Sequence, residues 1–182
     1  IVRHHSAGMV QAGGCCRPVQ TIAQASGWVI DMRVGLKVNG VNYSLDVEAN
    51  ERLSDVLRTR LGFMGVKEGC GVGDCGLCVV LMDDKPINSC LVLAYQADGR
   101  EIQTVESLSV AGKLHPLQKA FIDVGAVQCG FCLPAALMVL KHLLDTNPSA
   151  SSEEVRHALR SVLCRCGSYL RFLEAFEAVR KR

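Results

Sequence analysis

The 182-residue chain has no apolar run approaching the roughly 18 residues of a membrane span, so no segment reads as a transmembrane helix. It lacks an excess of charge of either sign. Twenty Lys and Arg face 18 Asp and Glu, a formal net of +2. That balance excludes a strongly basic nucleic-acid binder and an acidic solvating tail. No stretch combines a basic start, an apolar middle and a small-residue cleavage site, the pattern of a secretory signal. The reading is therefore cytoplasmic, with an exported form left open, because a chain opening on Ile1 is expected to lack its natural start. No nucleophile–base pair and no phosphate-binding glycine loop occur, so a substrate site within this chain is not expected. What is present is core: 49% hydrophobic against 21% charged residues, which predicts a packed globular chain.

Cysteine is the abundant exception, with ten in the chain: Cys15, Cys16, Cys70, Cys75, Cys78, Cys90, Cys129, Cys132, Cys164 and Cys166. Disulfide frameworks usually serve small secreted domains with too little core. This chain has core to spare, including VVLM at 79–82 and LVLAY at 91–95. The last eight cysteines fall in close groups divided by glycines, which favours metal chelation, since neighbouring thiolates reach one centre from one loop. Cys15 and Cys16 sit in an unpatterned segment beside His4–His5 and an isolated Trp28, and none of these is read as a ligand. A serine at Cys15 or Cys16 is expected to be silent.

Pattern begins at Met32. Val34, Leu36 and Val38 alternate with polar or small residues, Asn39–Gly40 signals a hairpin turn, and Val41, Tyr43, Leu45 and Val47 alternate again. Residues 1–31 read as an extension or as upstream sequence. Leu53, Val56, Leu57 and Leu61 predict a short amphipathic helix over 52–61. After the glycine-rich loop 69–78 come strands near 78–82, near 86–90 carrying Cys90, and over 101–105. This is an α+β plan with a mixed sheet. Beyond about residue 110 strand pattern ends, and four helices follow: 114–125, 133–144 opened by Pro134, 152–163 with a Ser151–Glu154 capping box, and 168–180. Four short helices imply a four-helix bundle. The expected organisation is 32–109 and 110–182, each with four clustered cysteines. His115, His142 and His157 lie on helical stretches without a ligand partner and read as surface or capping residues.

Cys70, Cys75, Cys78 and Cys90 follow C-x4-C-x2-C-x11-C, the plant-type spacing of a 2Fe–2S cluster. Three thiolates from one short loop require a tight wrap. Gly69, Gly71, Gly73 and Gly76 permit positive φ and close backbone approach, turning N–H groups toward sulfur. The second group is C-x2-C, a gap of 31 residues, then C-x-C: Cys129, Cys132, Cys164 and Cys166. Spacing alone leaves zinc and 2Fe–2S both open here. Cys132 and Cys166 each precede a predicted helix N-terminus, where free N–H groups stabilise an anionic core. Arg165 and Arg171 lie close in sequence, Arg171 reading as part of a solvated face.

These residues resemble the iron–sulfur subunit of the molybdenum hydroxylases, the xanthine dehydrogenase, aldehyde oxidoreductase and carbon monoxide dehydrogenase family. The resemblance covers residues 32–182 and rests on KEGCGVGDCGLCVV at 67–80, NSC at 88–90, HPLQKAF at 115–121, VQCGFC at 127–132 and CRCGSY at 164–169. It implies a ferredoxin-like β-grasp domain, a four-helix bundle and two 2Fe–2S clusters. It further implies a large molybdenum–pterin partner subunit, and an FAD-binding partner as the common acceptor. By the same resemblance Gln128 and Cys166 sit against the pterin. Leu133-Pro134-Ala135 and Gly167-Ser168 depart from the frequent Thr-Pro-Gly and Thr-Gly of the family, the second being similar to its isoquinoline- and aldehyde-oxidising branch. These departures leave substrate and final acceptor open. The function expected is electron transfer from molybdenum–pterin through two clusters. The runner-up is a free-standing 2Fe–2S carrier or sensor, and a structural zinc scaffold comes third.

Overall fold

The computed structural model describes residues 31–180. The expectations for His4, His5, Cys15, Cys16 and Trp28, and for the extension apart from Asp31, lie outside the described residues. Asp31 opens the first strand.

β1 (Asp31–Val38) and β2 (Val41–Glu48) form the hairpin that the alternation predicts, with Val34 opposite Leu45 and Val38 opposite Val41. Asn39 and Gly40 turn it with φ of 51° and 82°, the left-handed pair that a two-residue hairpin loop uses. Val34, Leu36 and Val38 are buried, whereas β2 buries only Val47 fully, because β2 is the sheet edge. β3 (Val79–Met82), β4 (Lys85–Asn88) and β5 (Glu101–Gln103) complete a five-stranded sheet of order β2-β1-β5-β3-β4. Only β1 and β5 pair in parallel, so the sheet is mixed.

Three local expectations shift. The helix over 52–61 is α-helical only at α1 (Leu53–Asp55). It then widens into a π-turn (Val56–Arg60), where the Leu61 N–H reaches the Val56 carbonyl at 3.0 Å. Thr59 Oγ donates to the Asp55 carbonyl, the kind of back-bond that competes with regular helix pairing. Strand β4 ends at Asn88, and Cys90 sits on a 3-10 turn (Ser89–Leu91), pinned where Ser89 Oγ donates to the Cys78 carbonyl at 2.7 Å. The strand expected over 101–105 ends at Gln103 and gives way to a 3-10 turn (Val105–Leu108).

Four helices follow: α2 (Pro116–Asp123), α3 (Leu133–Thr146), α4 (Ser152–Leu159) and α5 (Tyr169–Arg180). α4 stops four residues before the expected Leu163, because residues 160–164 turn toward the first cysteine loop. His115 caps α2, its Nδ1 accepting the Leu117 N–H at 3.2 Å while its own N–H donates to Gln118. His142 Nδ1 lies 2.7 Å from the Asp84 carbonyl, tying α3 to the β3–β4 turn. Among the described residues no helix is long and apolar enough to cross a membrane.

The apolar interior forms two clusters that share β3. Val80 and Cys78 pack with Val34, Leu36, Leu53, Leu57 and Ile102 on one sheet face. Val79 and Leu81 pack on the other with Leu117, Phe121, Met138, Leu140, Phe172 and Phe176. The strand's two-residue period therefore places it between both cores.

Candidate metal centres

The loop between the π-turn and β3 brings Cys70, Cys75 and Cys78 to one wall of a cavity of about 220 Å³, and the 3-10 turn after β4 brings Cys90 to the same space. Arg52, Ser54, Asp55 and Glu68 complete the lining. The cysteine loop is wound inward on its own sulfurs. The Cys70 N–H donates to Cys75 Sγ at 3.3 Å, and the Cys75 N–H donates back to Cys70 Sγ at 3.3 Å. The Val72 N–H reaches Cys70 Sγ at 3.4 Å. Gly69 has no positive φ, contrary to expectation. Its need is space, since a Cβ there would stand 2.7 Å from Cys75 Sγ. Gly71, Gly73 and Gly76 do take positive φ.

The second set comes from two helix entries. Cys129 and Cys132 precede α3, with Cys132 at its N-cap position, and Cys164 and Cys166 precede α5. All four line one small cavity of about 10 Å³ with Gln128, Ser168 and Phe172. The Ser168 N–H donates to Cys164 Sγ at 3.4 Å, and Gln128 Nε2 donates to Ser168 Oγ at 3.2 Å. Arg171 is held by Glu174 at 2.8 Å on the solvated face, as its surface reading expects.

In both sets the thiols act on one another: Cys75 lowers Cys70 and Cys78 raises Cys90, then Cys166 lowers Cys129 and Cys164 raises Cys132. Among the described residues no three His, Cys, Asp or Glu side chains converge as a single ion would require. Four cysteines lining one space in each set are the donor set of a 2Fe–2S core.

Environment sets the thiols apart. Backbone N–H groups of Val72 and Cys75 bring exposed Cys70 down from 9.0 to about 7. The Phe131 N–H lowers exposed Cys129 in the same way. Burial pushes Cys90 up to about 11 and Cys132 up to about 12. At Cys164 burial raises the thiol, but the N–H of Ser168, the Cys132 thiol and the N–H groups of Cys166 and Gly167 together outweigh it and lower it.

The two sites touch. The Leu163 N–H donates to the Cys75 carbonyl at 2.9 Å, and Cys164 is the next residue. Cys75, Cys132 and Cys164 share one buried apolar cluster, and Lys67 Nζ lies 5.9 Å from the Phe131 ring centre across the same seam. Three contributors were not singled out in the sequence. Asn88 Nδ2 donates to the Gly73 carbonyl at 3.1 Å, while its buried Oδ1 has no partner. The Tyr169 hydroxyl accepts the Cys164 N–H at 2.7 Å and donates to the Val162 carbonyl at 3.1 Å. Arg52 brings positive charge to the first cavity. Asn88 and Tyr169 sit inside the quoted NSC and CRCGSY motifs, which was the one available signal.

Residues 36–109 match the 2Fe-2S iron-sulfur cluster binding domain, and residues 104–177 match the [2Fe-2S] binding domain. The nicotine 6-hydroxylase small subunit of Paenarthrobacter nicotinovorans is 47% identical over 144 residues, covering 79% of this chain and 87% of that one. The nicotinate dehydrogenase small FeS subunit of Eubacterium barkeri is 43% identical over 138 residues, covering 76% and 88%. Among solved structures, quinoline 2-oxidoreductase from Pseudomonas putida 86 superposes with a TM-score of 0.80 at 41% identity, covering 83% of this chain and 94% of that chain. With two 2Fe–2S domains in tandem and near-full-length identity at this level, the chain belongs to the family of iron–sulfur small subunits of the molybdenum hydroxylases, the electron-transfer members of those oxidoreductases.

Proposed function

We propose that this chain relays electrons from a molybdenum–pterin site on a large partner subunit, first through the helical-half centre, then through the sheet-half centre, to FAD on a further partner or to another acceptor. The observation that carries this reading is the Leu163 N–H to Cys75 carbonyl bond. It joins the backbone of one cysteine set to that of the other over 2.9 Å. A bound 2Fe–2S core supplies one-electron exchange at each site. The residues of this chain supply the rest. Cys70, Cys75, Cys78 and Cys90 hold the first centre, and Cys129, Cys132, Cys164 and Cys166 hold the second. The N–H groups aimed at Cys70 and Cys164 favour their thiolate form, and the Cys70 N–H aimed at Cys75 Sγ offsets negative charge on a bound core.

Gln128 and Cys166 face the pterin in this reading. Support comes from their common cavity and from the exposed apolar residues Val127 and Phe131 beside them, which suit a protein–protein contact. Residues 32–109 are the ferredoxin-like β-grasp unit, and α2 to α5 make the 110–182 domain a four-helix bundle. The substrate class is a heterocycle or aldehyde hydroxylated on the large partner, and the complex works in the cytoplasm. Two measurements test this reading on the native complex. Iron and acid-labile sulfide should amount to two 2Fe–2S centres per chain, with two distinct EPR signals after dithionite reduction. The chain should also co-elute with a much larger subunit. A colourless protein, a single centre, or elution as a free small chain would overturn it.

A further inference from the structure

We infer that Gly76 is a positioning residue that sets the separation of the two centres, an inference that rests on the electron-transfer reading above. Gly76 lies between Cys75 and Leu77 with φ of +63°. A Cβ on it would stand 1.6 Å from the Ser161 carbonyl oxygen, 2.7 Å from the Ser161 carbonyl carbon and 3.3 Å from Val162 Cα. All three are backbone atoms, so no rotamer change relieves the contact. Any side chain at 76 must push segment 161–164 away from the first cysteine loop. That segment carries the Leu163 N–H bonded to Cys75 and ends in Cys164.

The segment is also held by Tyr169, whose hydroxyl bridges the Val162 carbonyl and the Cys164 N–H. Tyr169 is itself set edge-on against Phe172 at 6.2 Å, and Phe172 stacks on Phe121 at 5.1 Å. Segment 161–164 is thus fixed by two contacts, bare glycine backbone at Ser161 and a held phenol at Val162 and Cys164. One electron crosses this seam per event, one centre being oxidised as the other is reduced, with no bond broken and no proton moved. The rate of such a transfer falls exponentially with separation, so an ångström gained at Gly76 is felt directly.

The test compares the native holo-complex with Gly76→Ala, Tyr169→Phe and Gly99→Ala. Gly99 has φ of +69° and open space around its Cβ position, and it lies outside both cysteine sets, so its variant reproduces backbone strain without a clash. Each complex is reduced with dithionite and read by low-temperature EPR, where mutual dipolar splitting falls with the cube of the distance. Gly76→Ala is expected to keep both centres by iron count but to show a reduced splitting. Tyr169→Phe is expected to narrow it as well, and Gly99→Ala to leave it intact. Unchanged splitting in a fully loaded Gly76→Ala complex, or an equal loss in Gly99→Ala, overturns the inference. If Gly76→Ala fails to load both centres, Tyr169→Phe decides, and unchanged splitting there also overturns it. A native complex with fewer than two signals would instead refute the electron-transfer reading itself.

Discussion

At the residue scale, the two cysteine sets repeat one arrangement. Rim thiols at Cys70 and Cys129 are lowered by backbone N–H groups, and buried thiols at Cys90 and Cys132 are raised by desolvation. Loading a metal core must drive protons off the buried pair, so binding and proton release are coupled. Gly69 serves by space and not by positive φ, but the grouping of the eight cysteines was legible in the sequence because ligand spacing within a loop is local. Asn88, Tyr169 and Leu163 were not, because each acts on a partner that only folding brings near. Asn88 gives a direct check. Its bond to the Gly73 carbonyl closes the first cysteine loop from strand β4. Asn88→Ala is expected to cost about 1 kcal/mol, a typical net hydrogen bond. It should also speed chelator-driven iron loss from the Cys70–Cys90 centre while sparing the other. Equal loss from both, followed by visible absorbance, would show that Asn88 supports the whole fold and not that loop.

At the element scale, helix starts were read more accurately than helix and strand ends. The Ser151–Glu154 capping box and Pro134 within the first turn of α3 are both present, because each signal lies within one turn of the element it starts. α4 ends early and β4 hands Cys90 to a 3-10 turn, because the chain there serves the cysteine sites and not the element's own periodicity. Ser151→Ala is expected to destabilise the protein by about 1 kcal/mol, the usual worth of an N-cap side chain. The cap also carries a pH dependence. The N–H and hydroxyl of Ser151 hold the Glu154 carboxyl below its usual 4.5. A group depressed in the folded state stabilises fully above its unfolded pKa, and the contribution is lost as pH falls through the folded value. Thermal melts followed by circular dichroism should therefore show the variant's deficit at neutral pH and its shrinkage below about pH 4, near the carboxylate range. A deficit constant across that range would show that the Glu154 carboxylate is not linked to the cap.

At the scale of the whole molecule, β3 decides how the parts join. Leu81, 1% exposed, points into the core built with the helices, while its neighbour Val80 points into the core under the hairpin. Leu81→Ala should cost about 2–5 kcal/mol, as large-to-small core changes do. It is also expected to lower one shared calorimetric transition. Two separated transitions would show that sheet and helices melt independently. By itself the sequence determined the α+β class, the hairpin, the helix starts and the two cysteine sets, since periodicity, capping and chelating loops are written within a few residues. Only the tertiary structure decided that Leu163 meets Cys75, that Gly76 lies against Ser161, and that each cysteine set lines one space. Those contacts join residues far apart along the chain. Their geometry is set by how the helices pack across β3, which no local pattern encodes.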